Sequence, residues 1–284
     1  MPTDLYIQKQ AEIEQKILAT VAAYPSLWRN VISDWQTEKG DTVWLTYAAN
    51  YLLHTGNTHW AIDPYSLYTR LKLDIQLDFR DDLQNLQLVV LTHAHADHLD
   101  LNLIAALHDL PIKWVIPSFM LERVQQTAHL PKENIIIPQP GMPISFSDLT
   151  LTPFEALHIR GNNGVPELGY LAEFNGKRWL FPGDTRVYDP GRLPSVGKLD
   201  GVFAHLWLGK ACALDDPPPL IESFCNFFYT LQPTRIIVTH LEESGRKADD
   251  FWTEDHYQLV KQQFNALDPE IVVTSLMMGH KTCL

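Results

Sequence analysis

The chain has 284 residues, of which 45% are hydrophobic and only 20% are charged, so it can bury a large core and is not expected to be disordered. Its formal net charge of -12 at pH 7 disfavours nucleic acid as a partner, because phosphate backbones attract basic surfaces. The three cysteines form no C-x-x-C pair, which argues against a disulfide framework. With neither a signal-peptide pattern nor an apolar run of about 18 residues, we expect a cytoplasmic protein without a membrane span.

The segment 4–38 is predicted to be helical, because apolar residues recur every four positions from Ile13 to Val21 between polar side chains. Pro25 is expected to break this helix and to start a second one, since proline lacks the backbone N–H and suits a first helical turn. We therefore assign residues 1–40 to an N-terminal helical extension. This extension either packs on the rest of the protein or serves as a dimer arm or substrate lid.

Residues 41–284 alternate between β-rich and helical stretches. Short runs rich in apolar and β-branched residues predict strands in both halves, for example at 88–91, 149–157 and 235–238. Asn175-Gly176 predicts a tight hairpin turn between two further strands. Helical patterns lie between and after these strands, and no linker or repeat divides the segment. The pattern predicts one α/β domain in which two sheets are covered by outer helices.

A cluster of histidines directly follows the apolar run 88–91. His93 and His95 project to the same side of an extended strand end, and a tight turn brings Asp97 and His98 toward a second point nearby. Imidazole nitrogens and carboxylate oxygens are ligands that Zn²⁺ and similar first-row ions accept. The cluster therefore predicts a metal site at the end of a buried strand.

The pattern His93-x-His95-x-Asp97-His98 resembles the signature of the metallo-β-lactamase superfamily. The resemblance implies a four-layer αβ/βα sandwich with a metal site at one edge of its two sheets. It also implies that His93 and His95 bind one metal ion, whereas Asp97 and His98 bind a second. A later His would complete the first site, a later Asp would bridge both ions, and a final His would complete the second site.

These later ligands are assigned by their positions after predicted strands. His158 follows the run 149–157, and Asp184 lies in a Gly-Asp-Thr segment that resembles one in the family. His240 follows the strand 235–238 and is the first candidate for the last ligand. His280 is the second candidate, because it too follows an apolar, strand-like segment. His205 stands in a similar position and is a further alternative.

Two other residues are candidates for supporting roles. Asp63 lies between a strand and Pro64, where a similar stretch of the family supports the metal-binding loop, although an aspartate before proline is also a common turn former. Arg160 stands two residues after His158. It either binds a phosphate or carboxylate group of the substrate or is a solvated loop charge.

These observations predict a metal-dependent hydrolase that uses a metal-bridging hydroxide to cleave a small ester, lactone or phosphodiester. Asp97 is the candidate catalytic residue, because it can orient the attacking water or accept its proton. The expected cofactors are two divalent metal ions, with Zn²⁺ first and Mn²⁺ or Fe²⁺ as alternatives. The expected partner is a small-molecule substrate, with self-association into a homo-oligomer left open. The alternative functions are a nuclease of the same superfamily and a non-catalytic metal-binding module.

Two features indicate which branch of the superfamily the chain resembles. His95 stands where flavo-diiron oxidoreductases of the superfamily carry a Glu, which favours hydrolysis over di-iron redox chemistry. The continuation His98-Leu99-Asp100, together with the stretch 60–64, resembles the branch of ascorbate-6-phosphate lactonase and N-acyl-phosphatidylethanolamine phospholipase D. This resemblance covers about residues 42 to 280 and leaves the first 40 residues unexplained.

Overall fold

The computed structural model of the chain describes residues 3–71, 73 and 77–284. Within this part, fourteen strands form two seven-stranded sheets. The first sheet has the order β14-β1-β2-β3-β4-β5-β6 and contains β1 (Thr42–Leu45), β2 (Tyr51–Thr55), β3 (Thr58–Ile62), β4 (Leu88–Val90), β5 (Lys113–Val115), β6 (Ile135–Ile136) and β14 (Lys281–Cys283). The second sheet has the order β13-β12-β11-β10-β9-β8-β7 and contains β7 (Ile144–Phe146), β8 (Leu149–Glu155), β9 (Leu168–Phe174), β10 (Lys177–Phe181), β11 (Leu199–His205), β12 (Pro233–Thr239) and β13 (Val272–Ser275).

Helices cover the outer faces of both sheets. They are α1 (Asp4–Thr37), α2 (Tyr68–Leu71), α3 (Phe79–Asp82), α4 (Leu101–Ala106), α5 (Ser118–Ala128), α6 (Ile221–Thr230) and α7 (Glu254–Leu267). The helices α1, α4 and α5 share one hydrophobic cluster with the first sheet, whereas α6 and α7 share another with the second sheet. A third cluster fills the space between the sheets, where Phe181 stacks on Phe203 with ring centroids 4.5 Å apart. The predicted four-layer αβ/βα sandwich with an N-terminal helix is therefore confirmed.

Helix α1 differs from its prediction, because it runs without a break through Pro25. The prediction that Pro25 ends one helix and starts another is wrong. Tyr24 and Trp28 flank the proline and are buried against the first sheet, so tertiary packing stabilises the helix despite the missing backbone donor. Farther along, the indole Nε1 of Trp35 donates a hydrogen bond to the carbonyl of Leu53 in β2 at 3.1 Å. The division of the chain at residue 40 stays a prediction.

Most predicted strands and helices are present, with ends that differ by a few residues. Between β1 and β2 the chain makes a tight turn, which is closed by the bond from Thr46 N to Asn50 O at 2.8 Å. The strands β7 and β14 were not predicted, because each has three residues and lies at a sheet edge. In the part of the chain that the structure describes, no helix has the length and apolarity that a bilayer crossing needs.

Strand direction explains where a functional site can form. The strands β10, β11 and β12 are parallel, and β8 runs with them because both β8 and β10 pair antiparallel with β9. In the first sheet, β3 and β4 are parallel to each other. The carboxyl ends of these strands are therefore the places where side chains distant in sequence can converge.

Candidate metal centre

The predicted ligands all stand in the loops that follow these strands. Backbone hydrogen bonds also connect these loops to other loops, such as the bond from His240 N to Ala48 O in the β1–β2 turn at 2.7 Å. His240 itself has a φ of 65°, which is an uncommon conformation that turns the chain sharply after β12. The residues in these loops are Asp63 after β3, His93, His95, Asp97 and His98 after β4, His158 after β8, Asp184 after β10 and His240 after β12.

Four of these residues form a first cluster, in which the ligand atoms of His93, His95, His158 and Asp184 all lie within 4.8 Å of one another. The Nε2 atom of His93 lies 3.1 Å from Nδ1 of His95 and 3.9 Å from Oδ2 of Asp184. The ring of His158 lies 4.8 Å from the ring of His93 and 4.8 Å from that of His95. Three imidazoles and one carboxylate therefore face a common point.

A second cluster consists of Asp97, His98, Asp184 and His240, again with ligand atoms within 4.8 Å of one another. The Nε2 atom of His240 lies 3.4 Å from Oδ2 of Asp97 and 3.7 Å from Oδ1 of Asp184. The Nε2 atom of His98 lies 3.8 Å and 3.5 Å from the same two oxygens. Because Asp184 belongs to both clusters, its carboxylate lies between two adjacent points of convergence.

The side chains of these clusters fit metal ions better than they fit one another. Apart from His158 Nδ1, which lies beside Glu167, four buried atoms of these side chains have no hydrogen-bond partner among the residues that the structure describes, although they approach other polar atoms closely: Asp97 Oδ2, His98 Nε2, His158 Nε2 and His240 Nε2. Leaving one buried polar atom unpaired costs about 1–3 kcal/mol, so four in one place indicate that something else satisfies them. A nitrogen and carboxylate donor set of this kind suits divalent first-row cations.

Burial keeps the histidines of the first cluster neutral. It lowers the pKa of His93 to about 3 and, together with the neighbouring imidazole of His93, the pKa of His95 to about 4. Burial also lowers the pKa of His158 to about 4. A neutral imidazole is the form that binds a metal, so these three rings present free lone pairs at neutral pH.

The second cluster is dominated by its carboxylates. Burial opposes every charge there, but His240 and His98 outweigh this effect and hold the pKa of Asp97 below its usual value. The same two imidazoles and His205 lower the pKa of Asp184. Burial lowers the pKa of His98, but the neighbouring carboxylates outweigh this effect. The pKa is raised well above its usual value by Asp184, Asp63 and Asp97. Two ionised carboxylates therefore face the second point of convergence.

Asp63 lies behind the motif loop and holds it in place. Its Oδ2 atom lies 2.8 Å from Nδ1 of His98, which leaves Nε2 of that ring facing the second cluster. Its Oδ1 atom accepts a hydrogen bond from the backbone N–H of Thr92 at 2.8 Å, and the Thr92 hydroxyl donates to Oδ2. A carboxylate that orients a ligating imidazole in this way also increases the basicity of the ring.

Glu167 occupies an equivalent position behind the first cluster, and no sequence pattern predicted it. Its Oε1 atom lies 3.0 Å from Nδ1 of His93, and its Oε2 atom lies 3.3 Å from Nδ1 of His158. The backbone N–H of Asp184 lies 3.1 Å from both carboxylate oxygens and donates to them. Burial raises the pKa of Glu167 to about 7. No motif marks this residue, because it is a lone glutamate before β9.

His205, an alternative candidate for the last ligand, contacts Asp184 and belongs to neither cluster. Its Nδ1 atom lies 2.9 Å from Oδ1 of Asp184, and its Nε2 atom lies 3.0 Å from the hydroxyl of Tyr51. That hydroxyl is also 2.7 Å from Oγ1 of Thr239. His205 is therefore placed to orient the carboxylate that the two clusters share.

The other predicted site residues lie outside the clusters. His280 is exposed, and its backbone carbonyl accepts a hydrogen bond from Leu45 N at 3.0 Å, so the position at the second cluster is filled by His240. Arg160 lies in a tight loop after His158, where it and Asn163 form two backbone hydrogen bonds of 2.9 and 3.1 Å. Its guanidinium Cζ lies 5.9 Å from the ring centroid of Trp207.

The sequence of this chain matches the model of one protein family. Residues 62–241 match the sequence model of the family described as the Beta-lactamase superfamily domain. This match covers more than half of the chain and includes both clusters. No curated protein sequence matches the chain significantly.

Solved structures give the same fold at low sequence identity. Igni18, a metallo hydrolase from Ignicoccus hospitalis KIN4/I, is 18% identical with a TM-score of 0.61 over 86% of this chain and 98% of its own. YhfI, a metallo-β-lactamase fold protein from Bacillus subtilis, is 14% identical with a TM-score of 0.60 over 86% and 99%. CmlA, a diiron β-hydroxylase from Streptomyces venezuelae, is 16% identical with a TM-score of 0.61 over 87% of this chain and 55% of its own. At these identities the likeness is one of fold alone.

Proposed function

Because the chain belongs to the beta-lactamase (metallo-β-lactamase) superfamily, we propose that it is a metal-dependent hydrolase of a small ester, lactone or phosphodiester. The supporting observation is the pair of adjacent clusters whose unpaired buried atoms converge around one carboxylate. In this proposal each cluster would hold one divalent cation. The residues that would hold the first are His93, His95, His158 and Asp184, and those that would hold the second are Asp97, His98, Asp184 and His240.

The donor atoms favour Zn²⁺, with Mn²⁺ or Fe²⁺ as alternatives, because imidazole nitrogen and carboxylate oxygen suit all three. A bound divalent pair supplies an acidified water and stabilises negative charge that develops on the substrate oxygen. The protein contributes rigid placement of the donors. Asp63 and Glu167 fix the far sides of the ligating rings, and His205 fixes the shared carboxylate.

Asp97 is proposed as the residue that accepts the proton of the attacking water. Its carboxylate is ionised at neutral pH because His240 and His98, despite burial, keep its pKa low. Its backbone carbonyl accepts a hydrogen bond from the side-chain amide of Asn50 at 2.9 Å, and the same amide donates to the carbonyl of Asp63 at 2.8 Å. These bonds fix the backbone of Asp97 and so support the position of its carboxylate at the second cluster.

Hydrolysis is proposed rather than redox chemistry because of the donor at position 95. The diiron enzyme CmlA shares this fold, so the fold alone does not decide the reaction. Here the second motif position contributes the Nδ1 nitrogen of His95 instead of a carboxylate oxygen. A cluster of three neutral nitrogens and one carboxylate suits a Lewis-acidic Zn²⁺ site.

We also propose the branch of ascorbate-6-phosphate lactonase and N-acyl-phosphatidylethanolamine phospholipase D. The residues that carry this resemblance have structural roles at the site. Asp63 orients His98, and Asp100 caps helix α4 by accepting a hydrogen bond from Leu103 N at 3.0 Å. The other carboxylate oxygen of Asp100 accepts a hydrogen bond from the Ser66 hydroxyl at 2.6 Å. This bond connects the loop after β3 to the metal-binding loop.

Metal analysis and a substrate screen test the proposed function. The protein, the variants His95→Ala and Asp184→Ala, and the exposed control His108→Ala would be compared for bound metal and for cleavage of chromogenic phosphodiesters, lactones and single-stranded RNA. We expect metal and hydrolysis to be lost in both site variants and kept in the control. Full metal occupancy in both site variants would contradict the ligand assignment.

The substrate screen separates the competing functions. Cleavage of a small ester, lactone or phosphodiester supports the proposal, whereas cleavage of RNA alone supports a nuclease. A metal-loaded protein that cleaves none of these substrates would support a non-catalytic metal-binding module instead.

A further inference from the structure

A cavity of about 580 Å³ lies beside the metal centre, and most of the charged residues in its lining are basic. Four basic side chains and one acidic side chain line it: Arg160, Arg186, Lys210, Arg246 and Asp250. The whole chain, by contrast, has a formal net charge of -12. The positive charge of this cavity is therefore a local feature and not a consequence of composition.

The cavity opens next to the metal centre because its lining residues follow site residues in the sequence. Arg160 stands two positions after His158, Arg186 two positions after Asp184, and Trp207 two positions after His205. The strands that precede these residues run in the same direction, so the three side chains emerge from the same edge of the second sheet.

A small cleft shares lining residues with both the cavity and the second cluster. It is lined by His240, Glu243 and Trp252 and by three residues that also line the cavity, namely Trp207, Arg246 and Asp250. A ligand in the cavity is therefore adjacent to the side chains proposed to hold the cations.

Three of the basic side chains have no acidic partner. Within residues 3–71, 73 and 77–284, no carboxylate oxygen lies within 4.0 Å of the charged nitrogens of Arg160, Arg186 or Lys210. Arg246 differs, because it is paired with Glu243 at 2.5 Å and with Asp250 at 3.1 Å. The cavity thus offers three uncompensated cations to a ligand.

Two of these basic side chains pack against the indole ring of Trp207. The Cζ atoms of Arg160 and Arg186 lie 5.9 and 5.5 Å from its ring centroid, within the distance of a cation–π contact. Such contacts hold a guanidinium in place while its N–H groups remain free to bind an anion. The backbone also restrains both arginines: Arg160 is bonded to Asn163, and Arg186 N donates to Leu157 O at 2.8 Å.

We propose that this cavity binds an anionic group of the substrate, a phosphate or a carboxylate, and thereby positions a neighbouring bond at the metal centre. The inference rests on the proposed hydrolase function and names its substrate class as small anionic molecules. A volume of 580 Å³ lies within the range of about 300–1,000 Å³ that is usual for small-molecule sites. Arginine forks match both phosphate and carboxylate oxygens in geometry and charge.

Binding of model anions tests this inference without requiring hydrolysis. Phenyl phosphate, benzoate and the neutral control benzyl alcohol would be titrated by calorimetry into the full-length protein as purified. The same titrations would use the double variant Arg160→Gln/Arg186→Gln and the control Arg29→Gln, which changes an exposed arginine of α1. We expect at least one anion to bind more tightly than benzyl alcohol, and the double variant to lose about tenfold or more in its affinity.

The outcomes show which anionic group is bound, and they separate failure of this inference from failure of the proposed hydrolase function. Tighter binding of phenyl phosphate indicates a phosphate-bearing substrate, and tighter binding of benzoate indicates a carboxylate-bearing one. Anion affinity that is unchanged in the double variant would indicate binding at the cations of the metal centre, and it would overturn the inference. The inference would also be overturned if benzyl alcohol bound as tightly as the anions, or if neither anion bound. A protein that binds anions through the arginines but hydrolyses nothing would contradict only the proposed hydrolase activity.

Discussion

At the scale of single residues, Gly183 lets the loop after β10 approach Glu167 closely. Its φ is +74°, and a Cβ atom there would lie 2.2 Å from Oε1 of Glu167. The next residue, Asp184, donates its backbone N–H to the same carboxylate. The glycine therefore allows Glu167 to support the imidazoles of His93 and His158 and the shared aspartate at once.

We expect Gly183→Ala to weaken metal binding, because the new methyl group must displace the Glu167 carboxylate from His93 and His158. The matched control is Gly176→Ala in the β9–β10 turn, where φ is +75° but nothing lies within 4 Å of the added Cβ. Both variants should lose roughly 1–2 kcal/mol of stability from left-handed backbone strain. Only Gly183→Ala should lose metal affinity, by about 10-fold or more, in a chelator competition titration. Equal metal affinity in the two variants would contradict the role assigned to Glu167.

The motif residues and Glu167 show how far local sequence can predict a site. His93, His95, Asp97 and His98 are close in the chain, so their spacing after a strand was enough to identify them. Glu167 reaches the same histidines only because β9 pairs with β8 and β10, and this strand pairing joins residues that are far apart in the sequence. Its carboxylate has no sequence neighbour that indicates a metal site.

At the scale of elements, helix α1 is part of the hydrophobic core along its second half. Trp28 is 2% exposed, packs edge-on against Phe79 at 5.3 Å, and donates from Nε1 to Asp82 at 2.7 Å. Lys281 of β14 forms an ion pair with Asp34 of the helix at 2.8 Å. These contacts favour packing on the domain over a detachable arm or lid.

We expect Trp28→Ala to lower the free energy of unfolding by about 3–5 kcal/mol, because it removes a large buried ring and leaves Asp82 without its donor. The control is Leu18→Ala in the same helix, where the side chain is 62% exposed and the expected change is within about 0.5 kcal/mol. Urea unfolding followed by circular dichroism measures both. If the two variants lose the same small amount, α1 is a detachable arm.

At the scale of the whole molecule, the proposed metal binding would compete with protonation for the same side chains. Asp184, Asp63 and Asp97 raise the pKa of His98 above its usual value against the effect of burial, and Asp184 and Asp97 do the same for His240. In protein stripped with a chelator, the protonated forms therefore contribute stability that is full below the unfolded-state pKa of about 6.5 and is lost as pH rises through the raised folded-state pKa. A metal ion must displace these protons before it can bind.

We therefore expect zinc affinity to fall as pH is lowered from about 8 to about 6, and zinc binding to release protons at neutral pH. Competition titrations at several pH values measure the affinity, and calorimetry in buffers of different ionisation enthalpy counts the released protons. The His108→Ala variant should behave like the unchanged protein, because His108 is exposed and outside both clusters. A zinc affinity that does not change with pH would contradict this prediction.

The sequence by itself determined the properties that depend on local patterns. Alternating and short apolar runs predicted most strands, and the histidine motif after β4 predicted the family and its four-layer fold. These predictions succeed because backbone periodicity and strand-end position are properties of neighbouring residues.

Only the tertiary structure decided which distant residues meet. It placed His240 rather than His280 at the second cluster, and it put His205 and Glu167 behind the clustered side chains. It also kept α1 continuous through Pro25 and brought Arg160 and Arg186 to Trp207. The physical reason is that strand pairing and core packing bring together residues that are far apart in the chain. Neither propensity nor spacing contains that information.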